Sequence, residues 1–268
     1  MGKYTLAIMG SGSLGTIIAR AISTELSEDY SLLGILSGSY ENAERLAGKV
    51  NCKAYRDLDD MLLDKPDYVI EAASPDVMRD VGVRILENGT NLIVLSVGAF
   101  ADDEFYAGAE RAARENNCRI YMASGAIGGF DVLQSATLME NSSVSIITEK
   151  SPNSLKGAPA LEGKGLSRTE EEEIFKGPAR EAIKLFPKNV NVAVATALAT
   201  VGVDNTNTII RSVPGMQSNR HNIELVGDSI KVSVKIDSKP SLDNPGSSTL
   251  AAWSIIALLK NIVSPIVF

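Results

Sequence analysis

The first part of the chain alternates short, almost wholly apolar runs with longer stretches whose apolar residues recur at helical spacing. The runs "YTLAIMG" (4–10), "SLLGILSG" (31–38), "DYVIEAAS" (67–74), "NLIVLSVG" (91–98) and "RIYMASGAIGG" (119–129) predict strands. Helices are predicted over "LGTIIARAISTEL" (14–26) and "ENAERLAGKV" (41–50), from Pro75, and from about Asp102 to Asn117. Strands without a polar face, separated by helices, imply a parallel sheet covered on both sides, which is the doubly wound α/β class. The pattern changes after about Gly125. "SVSIITEK", "NVNVAVATALAT", "TNTIIRSVP", "HNIELVGD" and "IKVSVKID" read as β-branched, alternating strands of a half-exposed antiparallel sheet. A charged helix is expected among them in "SRTEEEEIFKGPAREAIKLF" (167–186), with the acidic run Glu170 to Glu173 as its solvated face. "STLAAWSIIALLKNI" (248–262) predicts an apolar helix that packs back on the first sheet. The α+β part is then an insertion, with residues 1–122 plus 244–268 as one domain and 123–243 as the other. There is no internal repeat or low-complexity segment.

Composition narrows the function. Hydrophobic residues make up 44% and charged residues 22%, which suits a packed globular chain. A net charge of −7 offers no basic footprint for nucleic acid. No apolar run is long enough to span a bilayer. Cys52 and Cys118 supply neither a disulfide framework nor a metal site. No signal peptide is expected, so a reducing cytoplasm is the default and the sequons at Asn88 and Asn141 are accidental.

The first strand runs into "GSGSLG", with Gly10, Gly12 and Gly15. A G-x-G-x-x-G between a strand and a helix predicts a dinucleotide seat. Gly10 allows the tight turn, Gly12 lets backbone approach a diphosphate, and Gly15 lets helix and strand pack closely. The diphosphate sits on the helix N-terminus opened by Ser13 and Leu14, where free amides and the dipole favour an anion. The second strand ends at Ser37, where an acid ordinarily holds the adenosine ribose. A missing carboxylate removes repulsion against a 2′-phosphate, and Ser37, Ser39 and Arg45 are candidates to hold one, so NAD or NADP is expected with NADP tolerated. "EAASPD" (71–76), with Ala73 and Ser74, and "SVGAFAD" (96–102) fall at strand ends where such sheets bind ligands. "SGAIGG" (124–129) falls at the domain junction.

These motifs, together with "ASPDV", "SGAIGGFDVL", "FPKNVNVA" (186–193), "NRHNI" and "NPGSSTLAAWS" (244–254), resemble the L-aspartate dehydrogenase family in order along almost the whole chain. The resemblance implies an N-terminal Rossmann domain completed by the C-terminal helical segment, and an inserted α+β domain for substrate and dimerisation. It implies NAD(P)-dependent oxidative deamination of L-aspartate to iminoaspartate, which hydrolyses to oxaloacetate and ammonia, in service of NAD biosynthesis, and a cytoplasmic homodimer. It places Ala126 and Asn191 at the nicotinamide cofactor and His221 in catalysis. Ser37 departs from the acid the family often has. Gly246 departs from a lysine in the family's N-P-K-T-S. Two other readings stand beside it: an oxidoreductase on another small amino or hydroxy acid, and a cofactor-binding regulatory protein without turnover.

His221 is the only histidine in the chain. Its bland role is a satisfied side chain in a sheet; its chemical role is to take the proton that must leave a substrate ammonium, or to activate water. An ordinary imidazole, with a pKa of about 6.5, suits that work and predicts a pH–rate limb near neutrality or above. Asn189 is the neighbouring alternative to Asn191. Lys150, Arg211 and Arg220 are candidate partners for the substrate carboxylates, with Ser247 and Ser248 as uncharged substitutes.

Overall fold

The computed structural model describes residues 2–239 and 248–267, and divides into two compact units, residues 1–123 with 251–268 and residues 124–250. The expected boundary at residue 244 lies outside the described residues.

The first unit is built from β1 (Tyr4–Met9), α1 (Ser13–Ser23), β2 (Tyr30–Leu36), α2 (Tyr40–Val50), β3 (Lys53–Ala54), α3 (Leu58–Leu63), β4 (Tyr68–Glu71), α4 (Pro75–Glu87), β5 (Asn91–Val94), α5 (Asp103–Glu115) and β6 (Ile120–Met122). Its six strands are all parallel, in the order β3-β2-β1-β4-β5-β6. This is the Rossmann arrangement, whose order reverses between β1 and β4 and leaves a ligand crevice at their carboxyl ends. Leu6, Ala7 and Ile8 of β1 are fully buried, as an apolar strand between two helical layers requires. The helices start where side chains accept otherwise orphaned amides: Asp57 caps α3, Ser74 caps α4 ahead of Pro75, and Asp102 caps α5. The run at 91–98 is strand only to Val94; Val97–Ala101 turns into a short 3-10 helix.

The second unit holds α6 (Phe130–Met139), β7 (Ser143–Lys150), α7 (Pro152–Leu155), β8 (Glu172–Pro178), α8 (Ala179–Leu185), α9 (Asn191–Leu198), β9 (Thr206–Ser212), β10 (Asn219–Val226) and β11 (Lys231–Ser238). Its sheet has the order β11-β10-β7-β9-β8 and is mixed, not antiparallel throughout, because β7 and β9 run parallel. Residues 172–178 form a strand where a charged helix was expected, and only Ala179–Leu185 is helical. Gly177 and Pro178 deny a helix its interior there. Arg211 on β9 faces Glu171 and Glu173 at 3.8 and 3.7 Å, so the acids meet a cation across the ladder. The run at 189–200 is also helical from Asn191 to Leu198, not a strand. Every position from Val192 to Ala197 is buried, and a segment apolar all round shows no period to distinguish helix from strand.

The last helix, α10 (Leu250–Val263), carries Ala252, Ile255, Ile256 and Leu259 into the core of the first unit. There the hydroxyl of buried Tyr30 donates to the Leu259 carbonyl at 2.7 Å. The chain therefore returns to its first sheet after building the second. No helix among the described residues is long and apolar enough to cross a membrane.

Candidate active site

In the first unit, the expected cofactor residues gather at the carboxyl ends of three adjacent strands. Gly10 has φ +113°, a region that disfavours side chains, and a Cβ there would lie 2.3 Å from the Ala72 carbonyl oxygen. Its amide donates to the Leu36 carbonyl at 2.8 Å, and the Ala72 amide donates to Met9 at the same distance, so the loops after β1, β2 and β4 are stitched together. A Cβ on Gly15 would come within 2.0 Å of the Gly10 carbonyl. Gly12, by contrast, faces nothing within 4 Å and caps α1 without a side chain, leaving room at a helix N-terminus where Ser13 and Leu14 begin. Those are the conditions for a diphosphate on backbone amides.

Ser37 follows β2, and its hydroxyl lies 2.7 Å from that of Ser11. Arg45 is exposed on α2. Arg56 was not singled out in the sequence. The register of parallel β2 and β3 pairs Gly34 with Lys53 and Ile35 with Ala54, and Arg56 follows β3 at the same carboxyl edge where Ser37 follows β2. Its guanidinium lies over the Tyr40 ring, 4.9 Å from the centroid. Ser74 spends its hydroxyl on the Val77 amide as the cap of α4. Ala73 is exposed, and its amide donates to Glu71 at 2.7 Å.

Glu71 is the residue sequence reasoning passed over. It is fully buried at the end of β4, and its carboxylate also accepts the Ser96 amide at 2.9 Å and the Ser96 hydroxyl at 2.7 Å. It thereby ties the "EAASPD" loop to the "SVGAFAD" loop. Burial pushes its pKa up, and the donors from Ser96 and Ala73 oppose that shift. An acid inside the apolar run "YVIEAAS" was the available signal.

In the second unit, His221 sits on β10 with 2% of its surface exposed. Its Nδ1 lies 3.0 Å from Oγ1 of Thr148, its register partner on β7. Lys150, two residues on from Thr148, is buried on the same face. Burial and then the Lys150 charge push the His221 pKa down to about 3, and burial pushes Lys150 down to about 8. This corrects the expectation of an ordinary imidazole: the ring is neutral across the physiological range, and the group that titrates near pH 8 is the lysine.

Arg211 and Arg220 lie on the opposite face. Arg220 donates to Asp237 and Glu149, each at 3.0 Å, and Arg211 is spread among Glu149, Glu171 and Glu173. Of the three candidate cations, only Lys150 shares the face of His221. Asn189 is buried and donates to the Ser154 carbonyl at 2.9 Å, a structural task, whereas Asn191 opens α9 and is half-buried. Ala126 is buried in the turn between Gly125, at φ +64°, and α6. Ser248 is buried and its hydroxyl accepts the Leu250 amide at 3.1 Å; Ser247 and Gly246 lie outside the described residues. No metal-binding group of His, Cys, Asp and Glu is present among the described residues.

A glycine cradle on a Rossmann sheet, followed by a domain with a buried imidazole, defines a nicotinamide-dinucleotide dehydrogenase. Residues 10–123 match the family model described as the homoserine dehydrogenase NAD binding domain, and residues 131–262 match that of the aspartate dehydrogenase C-terminal domain. The chain is 38% identical to an L-aspartate dehydrogenase of Methanosarcina barkeri and 39% identical to one of Methanosarcina mazei, over 97% of each chain. A solved aspartate dehydrogenase from Thermotoga maritima superposes with a TM-score of 0.75 at 27% identity, covering all of both chains. A hyperthermophilic archaeal homoserine dehydrogenase in complex with NADPH, at TM-score 0.57 and 14% identity, shares the fold. The chain belongs to the L-aspartate dehydrogenase family.

Proposed function

We propose that the chain oxidises L-aspartate with NAD or NADP, the first unit holding the cofactor and the second handling the proton. The observation that carries the reading is the lone imidazole of His221, buried and held by Thr148 on the polar end of a sheet, in a chain whose relatives at this identity are L-aspartate dehydrogenases. Gly10, Gly12, Ser13, Leu14, Gly15, Ser37, Ala73 and Ser74 hold the dinucleotide, with Ala126 and Asn191 towards its nicotinamide. That ring, when bound, accepts a hydride from Cα of aspartate.

Before the hydride can leave, the substrate ammonium must lose a proton. With its own proton on Nδ1 donated to the Thr148 oxygen, His221 presents a lone pair on Nε2. In the free protein that lone pair is a weak base, because burial and Lys150 both oppose a second charge. The two carboxylates of the substrate offset the Lys150 field, the smaller of the two causes, and so raise the basicity of the ring as the substrate arrives. The imine then takes up water, giving oxaloacetate and ammonia. A homodimer in the cytoplasm feeding NAD synthesis completes the reading; light scattering at micromolar concentration tests the dimer, a monomeric mass counting against it.

The direct test is absorbance at 340 nm with L-aspartate and either cofactor, then with homoserine and other small amino and hydroxy acids. Aspartate should be preferred. Turnover of another acid alone, or none with any, rejects the assignment.

A further inference from the structure

Alternation and register together lay out the covered face of the second sheet in rows. One row is Val144, Thr206, Leu225 and Val232; the next is Ile146, Thr208, Ile223 and Val234; the third is Thr148, Ile210, His221 and Ile236. The fourth changes character. Lys150 pairs with Ser212 on one side; on the other, Asn219 follows Arg220 in register and pairs with Ser238. The row therefore reads Ser212, Lys150, Asn219, Ser238 across β9, β7, β10 and β11, polar throughout.

Ser212 is fully buried, Asn219 is 2% exposed and Lys150 3%. Ser212 Oγ, Asn219 Oδ1 and Ser238 Oγ have no hydrogen-bond partner among the described residues. Thr208 is the fourth such atom and lies two rows away among apolar neighbours. Buried polar groups are ordinarily paired, so the unpaired Ser212 and Asn219 atoms on either side of one buried ammonium form a site prepared for a ligand. Glu172 on β8 extends the row beyond Ser212, and its carboxylate accepts the Ser167 amide at 2.8 Å.

The segments that continue β7 and lead into β10 enclose a cleft of about 800 Å3 lined by Lys156, Lys164 and Arg168 and by no acid. In a chain of net charge −7, that is a locally basic cleft next in sequence to Lys150 and Asn219.

We propose that this row is the seat of the side-chain carboxylate of the amino-dicarboxylate substrate, with Lys150 supplying the charge and its neighbour Ser212 the neutral donor. This rests on the aspartate reading above and adds the residues that choose a dicarboxylate. The row and His221 are two residues apart along the strands, roughly 6–7 Å, so one four-carbon molecule reaches both. Asn219 Oδ1, the unpaired acceptor, faces the substrate ammonium.

The experiment pairs calorimetric titration of succinate, with saturating cofactor, and steady-state kinetics on aspartate and asparagine. The variants are Lys150→Met and Ser212→Ala, with Arg211→Gln on the opposite face as control. Lys150→Met and Ser212→Ala should weaken succinate and raise the KM for aspartate about tenfold or more, the scale of a lost hydrogen bond to a charge. Preference for aspartate over asparagine should shrink alongside. Ser212→Ala should also raise the melting temperature of the empty protein, which a merely structural serine would not do. Arg211→Gln should move neither constant by more than about twofold. If Lys150→Met does not fold, Ser212→Ala decides alone. Unchanged succinate affinity and unchanged aspartate KM in folded variants overturn the seat. Row-dependent succinate binding without aspartate turnover would keep the seat and reject the proposed reaction.

Discussion

His221 and Thr148 are 73 residues apart in sequence and face each other across the β7–β10 ladder, Nδ1 to Oγ1 at 3.0 Å. The bond fixes the ring and leaves Nε2 for chemistry. His221→Ala should lower kcat about a hundredfold or more, the usual scale of general acid–base catalysis, with cofactor affinity unchanged. Thr148→Val keeps the shape and removes the anchor, so it should lower kcat by a smaller factor. Near-normal turnover in His221→Ala would make the histidine a structural element of the sheet.

Cofactor choice is written around Ser37. No carboxylate repels a 2′-phosphate there, and Arg56 follows the neighbouring strand β3 at the same edge, its guanidinium over the Tyr40 ring. NADP should be used at least as well as NAD. Arg56→Ala should raise the KM for NADP about tenfold, the loss of a charge-assisted contact, and leave NAD within about twofold. Ser37→Asp should shift preference to NAD. Kinetics with both cofactors decide this, and a strong wild-type preference for NAD would refute it.

The buried imidazole also sets how stability depends on pH. Its folded pKa of about 3 lies below the ordinary 6.5, so the unfolded chain binds this proton first. The His221 contribution is therefore fully present above about pH 6.5 and is lost as pH falls towards 3, on the order of several kcal/mol. Chemical denaturation at intervals between pH 7 and 4 should show a steeper loss in wild type than in His221→Gln. Parallel curves would mean that the ring charges freely in the native state.

The first unit was legible because its signals are local. Apolar runs, capping residues and the glycine spacing each lie within a few neighbours, and the alternation of strands with helices gives the doubly wound class, while the short β3 (Lys53–Ala54) and α3 (Leu58–Leu63) carry too little pattern to be read. The second unit resisted for the opposite reason. Glu172 and Glu173 favour helix by composition, yet they pair across a ladder with Ser212 and Arg211 of β9, residues 38 to 40 positions on. The Val-Ala alternation at 192–195 imitates a strand although both residue types are buried. Arg56 and Lys150 depend on register, which one sequence does not state. The His221 pKa depends on a lysine 71 positions away on a neighbouring strand.

The three glycines of the cradle make different demands, and substitution should separate them. Gly15→Ala drives a Cβ to 2.0 Å from the Gly10 carbonyl, backbone that cannot yield cheaply. Gly10→Ala adds a clash at 2.3 Å with Ala72 to a φ of +113°. Both should destabilise the first unit by about 3 kcal/mol or more. Gly12 has φ −71°, which any residue adopts, and open space around it. Gly12→Ala should therefore keep the melting temperature within a few degrees of wild type. Its methyl group would stand where a diphosphate approaches the amides of α1, so the Kd for NADH and NADPH should rise about tenfold or more, as when an ion loses its close donors. Fluorescence titration beside a thermal melt reads both quantities. Loss of fold in Gly12→Ala, or unchanged affinity, would show that the open space at the start of α1 is not where the cofactor binds.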